Sequence, residues 1–450
     1  MTKARYVVTS IIPGASLNSE FIRALNTYCK VNNAKLKVLE CDYNYIDDIT
    51  DNGYNEAVKQ ELAEFLIAGG YIFNNSLRAS TFKSKVNIID PLASMEALVS
   101  SEGNLIVPFP RHRFKSVARS LKHSATPRGI WCTGTISEPY YKSSKSGRIA
   151  ECYHTLGALS IEIENEDIFH IRQLQFDGQG FYDLDTYYTK DGHTKTEDAV
   201  LGISLGDLHP PFLNDFIMTQ SISLLKELKP LHVIYHDTFD ACTISHHVEN
   251  KKITKSLILN EVDSLQGELK LTASILNSYQ AAAPNAEHHI VKSNHDEHLD
   301  RYLDEFRFKE DTLNLKLALE LALQLVKYKQ ADATQGPLEY GLKKFEKLDK
   351  FIFHERDSKL ALAGIEVLNH GDHSANGAKS NTKQNGLAFT GKLVTGHTHA
   401  PEIGPYNNFV NGTSTHLSLE YTNDSGTSSW LNTHTLIYKN GTMTHYHIIP

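Results

Sequence analysis

The sequence predicts an α/β protein, and three patterns predict it. In the opening stretch, Tyr6 to Ile12 suits a strand, Pro13 and Gly14 break it, Ser19 to Asn32 carries apolar residues at helical spacing, and Lys35 to Cys41 suits a second strand. Residues 150 to 190 instead alternate at every second position, as in GALSIEIE and FHIRQLQF. Turn residues Asn165 to Asp167 and Asp177, Gly178 and Gly180 punctuate them, which is the pattern of antiparallel hairpins. From Val200 onward, five apolar runs that read as strands, Leu360 to Leu368 the fourth of them, each end in a polar cluster, and the carboxyl ends of strands are where an open α/β sheet presents ligands. The expected organisation is therefore an amino-terminal α/β domain with β-hairpins over residues 1–195 and a second α/β domain over 196–450. The boundary is set near Asp191 to Thr196, where Gly192 and polar residues interrupt the alternation.

Between these landmarks, Val86 to Ile89, Leu105 to Phe109 and Ile130 to Thr133 read as further short strands, and Tyr182 to Tyr188 as the end of the hairpin unit. The PGAS turn after the first strand lacks a GxGxxG or P-loop pattern and reads as plain turn chemistry. A long helix is expected over Ile253 to Tyr279, ending before Pro284. Another is expected over Thr312 to Gln330, with Leu313, Leu317, Leu321 and Leu325 on one face as packing residues. After Pro337 a lysine-rich helix follows over Leu338 to Leu348, so that residues 297–350 form a helical insertion. Near the end, Asn440 and Gly441 between Thr433 to Lys439 and Thr442 to Ile449 give a two-residue hairpin.

A chain of 450 residues has room for two sizeable cores, and its formal charge of −8 argues against a uniformly basic nucleic-acid coat. Locally the balance reverses. Between residues 111 and 148, Arg111, Arg113, Lys115, Arg119, Lys122, Arg128, Lys142, Lys145 and Arg148 are opposed only by Glu138, a composition that suits either a solvated face or a phosphate-contacting one. Cys29, Cys41, Cys132, Cys152 and Cys242 are odd in number and show no CxxC spacing, which indicates neither a disulfide framework nor a zinc ribbon. No signal-length apolar core or membrane-length run is evident, so a cytoplasmic location is expected.

The five clusters carry the chemistry. GDLH places Asp207 and His209, HDTFD places Asp237 and Asp240, SNHD places Asn294 and His295, NHGDH places His370, and LVTGHTHAP places His397 and His399. In the last, Gly396 lets the backbone turn so that histidines at alternate positions reach one cleft. Carboxylate, amide oxygen and imidazole donors without thiolate suit Mn²⁺, Fe or Zn²⁺ better than Ca²⁺ or a structural zinc.

In order as well as in type, these clusters resemble the calcineurin-like metallophosphoesterase superfamily over roughly residues 196 to 450. The resemblance implies a metallophosphoesterase-type α/β sandwich and two divalent metal ions, Mn²⁺ foremost with Fe, Zn²⁺ and Mg²⁺ as alternatives. Asp207, His209 and His399 would hold one ion; Asn294, His370 and His397 would hold the other; Asp237 would bridge them. It makes His295 a proton donor to the leaving oxygen, oriented by Asp240, and offers His246 and His247 as substrate contacts. The family's usual glycines are His236 and Ser293 here, so the second and third motifs depart from the pattern. HDTFD is similar to the GD-x-F-D form of the SbcD-type DNA exonuclease branch, and the whole arrangement resembles phage-encoded metallophosphoesterases, including the pre-early deoxyribonuclease group of T5-like phages. What this implies is a phosphodiester hydrolase acting on DNA as a homo-oligomer away from membranes, in the host cytoplasm if phage-encoded, with Arg113, Arg119 and Lys122 among the DNA contacts. The alternative is a phosphodiesterase or phosphatase for a nucleotide, small molecule or phosphoprotein.

Overall fold

The computed structural model describes residues 3–12, 14–41, 62–81, 90–120, 128–245, 262, 264–373, 391–404, 407–417 and 427–449. The chain is a mixed α/β protein with several mixed sheets. The opening βαβ unit forms as expected. Strand Ala4–Ile11 and strand Ala34–Glu40 run parallel, joined by helix Ser19–Asn32. Asn18 caps that helix, its Oδ1 accepting from the Phe21 amide at 2.7 Å, and Asn33 closes it in the left-handed region at φ 50°. Strand Gly157–Ile163 joins the same sheet antiparallel to Ala4–Ile11 and pairs in turn with Phe169–Gln175, as the alternating sequence anticipates.

The second sheet, of six strands, organises the carboxyl-terminal half. Strands Val200–Ser204, His232–Tyr235, Glu287–Ile290 and Phe351–Phe353 are parallel neighbours, and hairpin Thr433–Tyr438 and Met443–His447 adds two antiparallel strands beside Val200–Ser204. Helices Asp215–Leu228, Leu265–Ala282 and Leu315–Lys329 supply apolar faces to a core with Val233, Tyr235 and Ile290. In the last of these, Leu317, Leu321 and Leu325 are buried, whereas Leu313 precedes the helix and is exposed. Shorter helices Glu297–Asp304 and Pro337–Lys343 complete the helical stretch after the third cluster.

Two expectations are corrected. The apolar run Leu360 to Leu368 is not one strand but a minimal hairpin, Ala361–Leu362 against Ile365–Glu366. Ala363 and Gly364 both take positive φ, 48° and 81°, as a two-residue hairpin turn requires. Gly192 does not interrupt the pattern, because Gly192–Lys195 pairs as a strand with Thr186–Thr189. Residues on the two sides of the expected 195/196 boundary share a core. Strand Phe109–Ser116 pairs with Glu402–Ile403 inside a ten-stranded sheet, and Tyr6, Val8, Phe114 and Trp131 pack in one cluster with Ile234, Val394, Phe409 and Ile437. The helix predicted from Ile253 begins at Leu265 within the described residues, and the Val86 to Ile89 run lies outside them. No described helix is long and apolar enough to cross a membrane.

One buried ion pair in the amino-terminal half gives a stability prediction. Asp183 accepts from Arg172 Nε at 2.5 Å, from Arg172 Nη2 at 2.9 Å and from the Tyr28 hydroxyl at 2.7 Å, and both charged side chains are almost fully buried. Burial alone would raise the Asp183 carboxyl, but the Arg172 charge and these hydrogen bonds hold it below the ordinary aspartate range. Asp183→Ala leaves Arg172 short of its partner and is expected to cost about 3–5 kcal/mol in urea denaturation at neutral pH. A depressed carboxylate stabilises above its unfolded pKa, about 3.9, and that stability is lost as pH falls through the folded value. The gap between wild type and variant should therefore narrow below about pH 4; a gap independent of pH would show that the charge is not what matters.

Candidate metal centre

Four of the five clusters emerge at the carboxyl ends of strands as the sequence implied, and His370 follows the minimal hairpin. Backbone bonds stitch their loops together: His209 N donates to Asp237 O at 2.9 Å, Leu208 N to His236 O at 3.0 Å, Asp207 N to Gly412 O at 3.0 Å and Gly396 N to His370 O at 2.9 Å. Non-glycine residues in the left-handed region concentrate here, with His209 at φ 40°, Asp237 at 47°, His397 at 76° and His399 at 56°. Each such residue costs about 1–3 kcal/mol unless its surroundings hold it, and such residues cluster at functional sites. Gly396 is required for space. A Cβ there would stand 2.1 Å from Asp207 Oδ1 and 3.0 Å from the His236 side chain.

The side chains converge. His209 Nε2 lies 3.0 Å from His399 Nε2 and 3.2 Å from Asp237 Oδ2; His399 Nε2 lies 3.2 Å from Asp207 Oδ2; His370 Nε2 lies 3.3 Å from Asp237 Oδ1. Asp207, His209, Asp237, His370 and His399 are all buried. Despite these approaches, both oxygens of Asp207, both of Asp237, Asn294 Oδ1 and His370 Nε2 have no hydrogen-bond partner. Buried carboxylates without donors are costly, and two of them beside each other more so. Donor atoms about 3 Å apart, of which His209 Nε2 and His399 Nε2 are within hydrogen-bond reach of each other, are arranged as ligands around a common cation are, since bonds of about 2.0–2.2 Å bring ligand atoms to about that separation. These residues therefore fit a divalent metal, and two groups of candidate ligands share Asp237: His209 with His399, and Asp207 with His370. The carboxylates are held ionised against burial. Asp207 is lowered by His399, and Asp237 well below the ordinary range by His370 and His209.

Of the remaining expected ligands, Asn294 contributes its orphaned Oδ1, and the His397 ring stands edge-on to that of His370 with centroids 5.2 Å apart. Asp240 turns out to be shared. Its Oδ1 is 2.6 Å from His209 Nδ1 and 3.2 Å from His295 Nδ1, so it braces a candidate ligand as well as the candidate acid. His295 stands beside His209, ring centroids 4.7 Å apart, and its side chain is 29% exposed where the candidate ligands His209, His370 and His399 are at most 7%.

The basic segment is only partly exposed. Arg113 is 1% exposed, paired with Asp90 at 2.8 Å and Glu402 at 3.3 Å and donating to the Ile403 carbonyl, and Arg111 and Arg119 are buried too. Arg113 thus uses its charge inside the fold, and Arg111 and Arg119 offer little of their side chains to solvent. Lys115 pairs with Glu96, and Lys142, Lys145 and Arg148 are the exposed cations of the stretch. Lys122, His246 and His247 lie outside the described residues.

Sequence reasoning missed Glu268, Asp296 and Asn411 as supporting residues and marked His236 and Ser293 only as departures from the motifs. His236 is fully buried between Ser204 Oγ at 3.3 Å and His370 Nδ1 at 3.5 Å, and burial pushes it down to about 4. Ser293, the other departure from the family pattern, donates its hydroxyl to Asp296 Oδ2 at 3.0 Å, and Asp296 Oδ1 accepts from the Phe239 amide, tying the second and third clusters together. Glu268, buried in the apolar face of its helix, accepts from the Cys242 and Thr243 amides and so fixes the backbone after Asp240. Asn411 follows strand Asn408–Val410 and donates to Ser204 Oγ and Leu205 O. Its place at a carboxyl strand end is the same signal that marked the others. Asp372 forms a two-pronged pair with Arg356 at 2.7 and 2.8 Å.

No family model matches the chain, and no solved structure matches it. Over 463 aligned positions it is 30% identical to Protein A1 of Escherichia phage T5, an alignment covering 98% of this chain and 81% of that protein. At that identity and over that extent, the chain belongs to the family of the phage T5 Protein A1.

Proposed function

We propose that this protein is a dinuclear metal-dependent phosphodiester hydrolase of the calcineurin-like metallophosphoesterase type, with DNA as its substrate. The observation that carries the hydrolase reading is the set of buried carboxylate, amide and imidazole donors that face one another without hydrogen-bond partners. Asp207, His209 and His399 would hold one cation, Asn294, His370 and His397 the other, with Asp237 between them. Such a pair supplies Lewis-acid charge to a phosphoryl group and an activated water as nucleophile.

The chain's own residues do the rest. Asp240 fixes the rings of His209 and His295 through their Nδ1 atoms, leaving Nε2 of His295 to give a proton to the departing oxygen. The buried loop bonds keep the ligands in place before substrate arrives, which lowers the reorganisation needed for reaction. DNA as substrate is supported by the HDTFD string and its likeness to the SbcD-type second motif; the expected partner copy and the metal identity, Mn²⁺ foremost, belong to the same reading. Burial of Arg111, Arg113 and Arg119 favours the second reading, a small phosphodiester, because it withdraws three of the nine cations of the basic segment expected for DNA.

The two are separated by assaying metal-reconstituted protein with Mn²⁺ on linear duplex, single-stranded and circular DNA beside bis(4-nitrophenyl) phosphate and a cyclic nucleotide. Cleavage of DNA that is abolished by chelator and restored by Mn²⁺ is the expected result. Turnover of the small diesters with every DNA left intact would replace DNA by the small substrate, and no metal-dependent hydrolysis of any would end the hydrolase reading.

A further inference from the structure

A second group of candidate ligands sits on the same parallel strands but at a different level. His232 opens its strand, Glu287 opens the next, and the register pairs them, with Ile234 opposite His289. Because side chains alternate along a strand, Glu287 and His289 share a face, and parallel pairing puts His232 on that face beside them. His232 Nδ1 lies 3.0 Å from His289 Nε2 and 3.4 Å from Glu287 Oε2, and His289 Nε2 lies 3.7 Å from the same oxygen. Three ligands at about 2.0–2.1 Å from a tetrahedral ion stand about 3.3–3.4 Å apart.

A fourth residue completes the pattern. His289 Nδ1 is 3.0 Å from Nε2 of His354, which follows strand Phe351–Phe353. If Nδ1–H of His289 donates there, its Nε2 keeps a lone pair directed at His232 and Glu287, the arrangement by which an outer partner fixes a ligand's tautomer. The single proton available on His232 Nδ1 satisfies either the imidazole or the carboxylate, not both. A cation satisfies all three.

We propose that His232, Glu287 and His289 form a third divalent-cation site, of the zinc class, at the opposite end of the strands from the dinuclear centre. Imidazole and carboxylate donors at this spacing suit zinc, with water in the remaining position. The groups share no residue: His232, Glu287 and His289 lie on strands His232–Tyr235 and Glu287–Ile290, whereas Asp237 and Asn294 follow the ends of those strands. His232 and His289 are 19% and 3% exposed, whereas Glu287 is 59% exposed and gives the ion a way in. Both strands lie within the sheet, between neighbours on either side, so the two imidazoles are held on rigid elements.

The test uses full-length protein stripped with chelator and supplied with Zn²⁺ only a few-fold above the protein. Crystals of the wild type should show an anomalous peak at the zinc edge between His232 Nδ1 and His289 Nε2. By plasma mass spectrometry after desalting, His232→Ala combined with Glu287→Gln should hold one zinc fewer per chain than wild type. Asp237→Asn should retain that peak while losing metal at the other end, so failure here is distinguishable from failure of the dinuclear reading. No peak between the two histidines would overturn the site in favour of a neutral histidine chain, even if the double variant folded poorly. Equal zinc in wild type and a folded double variant would overturn it as well.

Discussion

Asp237→Asn is expected to strip divalent metal from both halves of the centre and to reduce phosphodiester turnover by far more than the roughly 10–100-fold that loss of an outer-shell partner costs. The two oxygens of this carboxylate face different histidines, Oδ1 toward His370 at 3.3 Å and Oδ2 toward His209 at 3.2 Å, and among the described residues Asp237 is the carboxylate common to both groups of candidate ligands. Loss of fold is not the expected cause. In metal-free protein Asp207 and Asp237 are buried and repel each other, which raises the cost of keeping both ionised. Metal-free variant should therefore unfold no earlier than metal-free wild type. Added Mn²⁺ should raise the Tm of wild type, by the equivalent of about 2.7 kcal/mol at a hundredfold excess over Kd, and leave the variant nearly unmoved. A variant that keeps two metals per chain by plasma mass spectrometry would remove Asp237 from the bridging position.

The carboxyl-end clusters were legible because strand ends are local features. A short apolar run followed by Gly-Asp or Gly-His is visible without knowing what the strand pairs with, and Asp207, His209, Asp237, His370 and His399 do come together. The tertiary use of charge was not legible. Arg113 sits on a strand whose partner, Glu402–Ile403, is nearly three hundred residues away, and the sequence shows its charge without showing Asp90 and Glu402 around it. The same non-local pairing joins the two expected domains, since Phe114 and Trp131 share a core with Val394 and Phe409. The Leu360 to Leu368 run failed for a different reason. Ala363 accepts a positive φ that sequence rules reserve for glycine or asparagine, so the turn carried no full signature.

The two departures from the family pattern acquire a physical role in this light. A histidine where the resemblance implies glycine carries a side chain that must be accommodated, and His236 is accommodated by Gly396 and by hydrogen-bond contact with Ser204. Ser293 uses its added hydroxyl to hold Asp296, which in turn holds the Phe239 amide next to Asp240. Both substitutions thus add bonds between loops that carry candidate ligands, and neither displaces a donor atom from the cluster.

His295→Ala is expected to lower turnover by about 10² to 10⁴, the usual loss for a general acid, with metal content unchanged. Its partial exposure and its contact with Asp240 rather than with Asp207 or Asp237 set it apart from the ligands. Asp240→Asn should behave differently from a pure partner of His295. Its shorter contact is with His209, at 2.6 Å, so metal affinity should fall by about 10–100-fold together with part of the turnover. A proton donor matters most when the leaving oxygen is a poor leaving group, so the His295→Ala loss should be large on DNA, whose leaving group is an alkoxide. It should be much smaller on bis(4-nitrophenyl) phosphate, whose phenolate departs without help. A merely structural histidine would lower both rates alike, and equal losses on the two substrates, or loss of metal from His295→Ala, would take the acid role away from this residue.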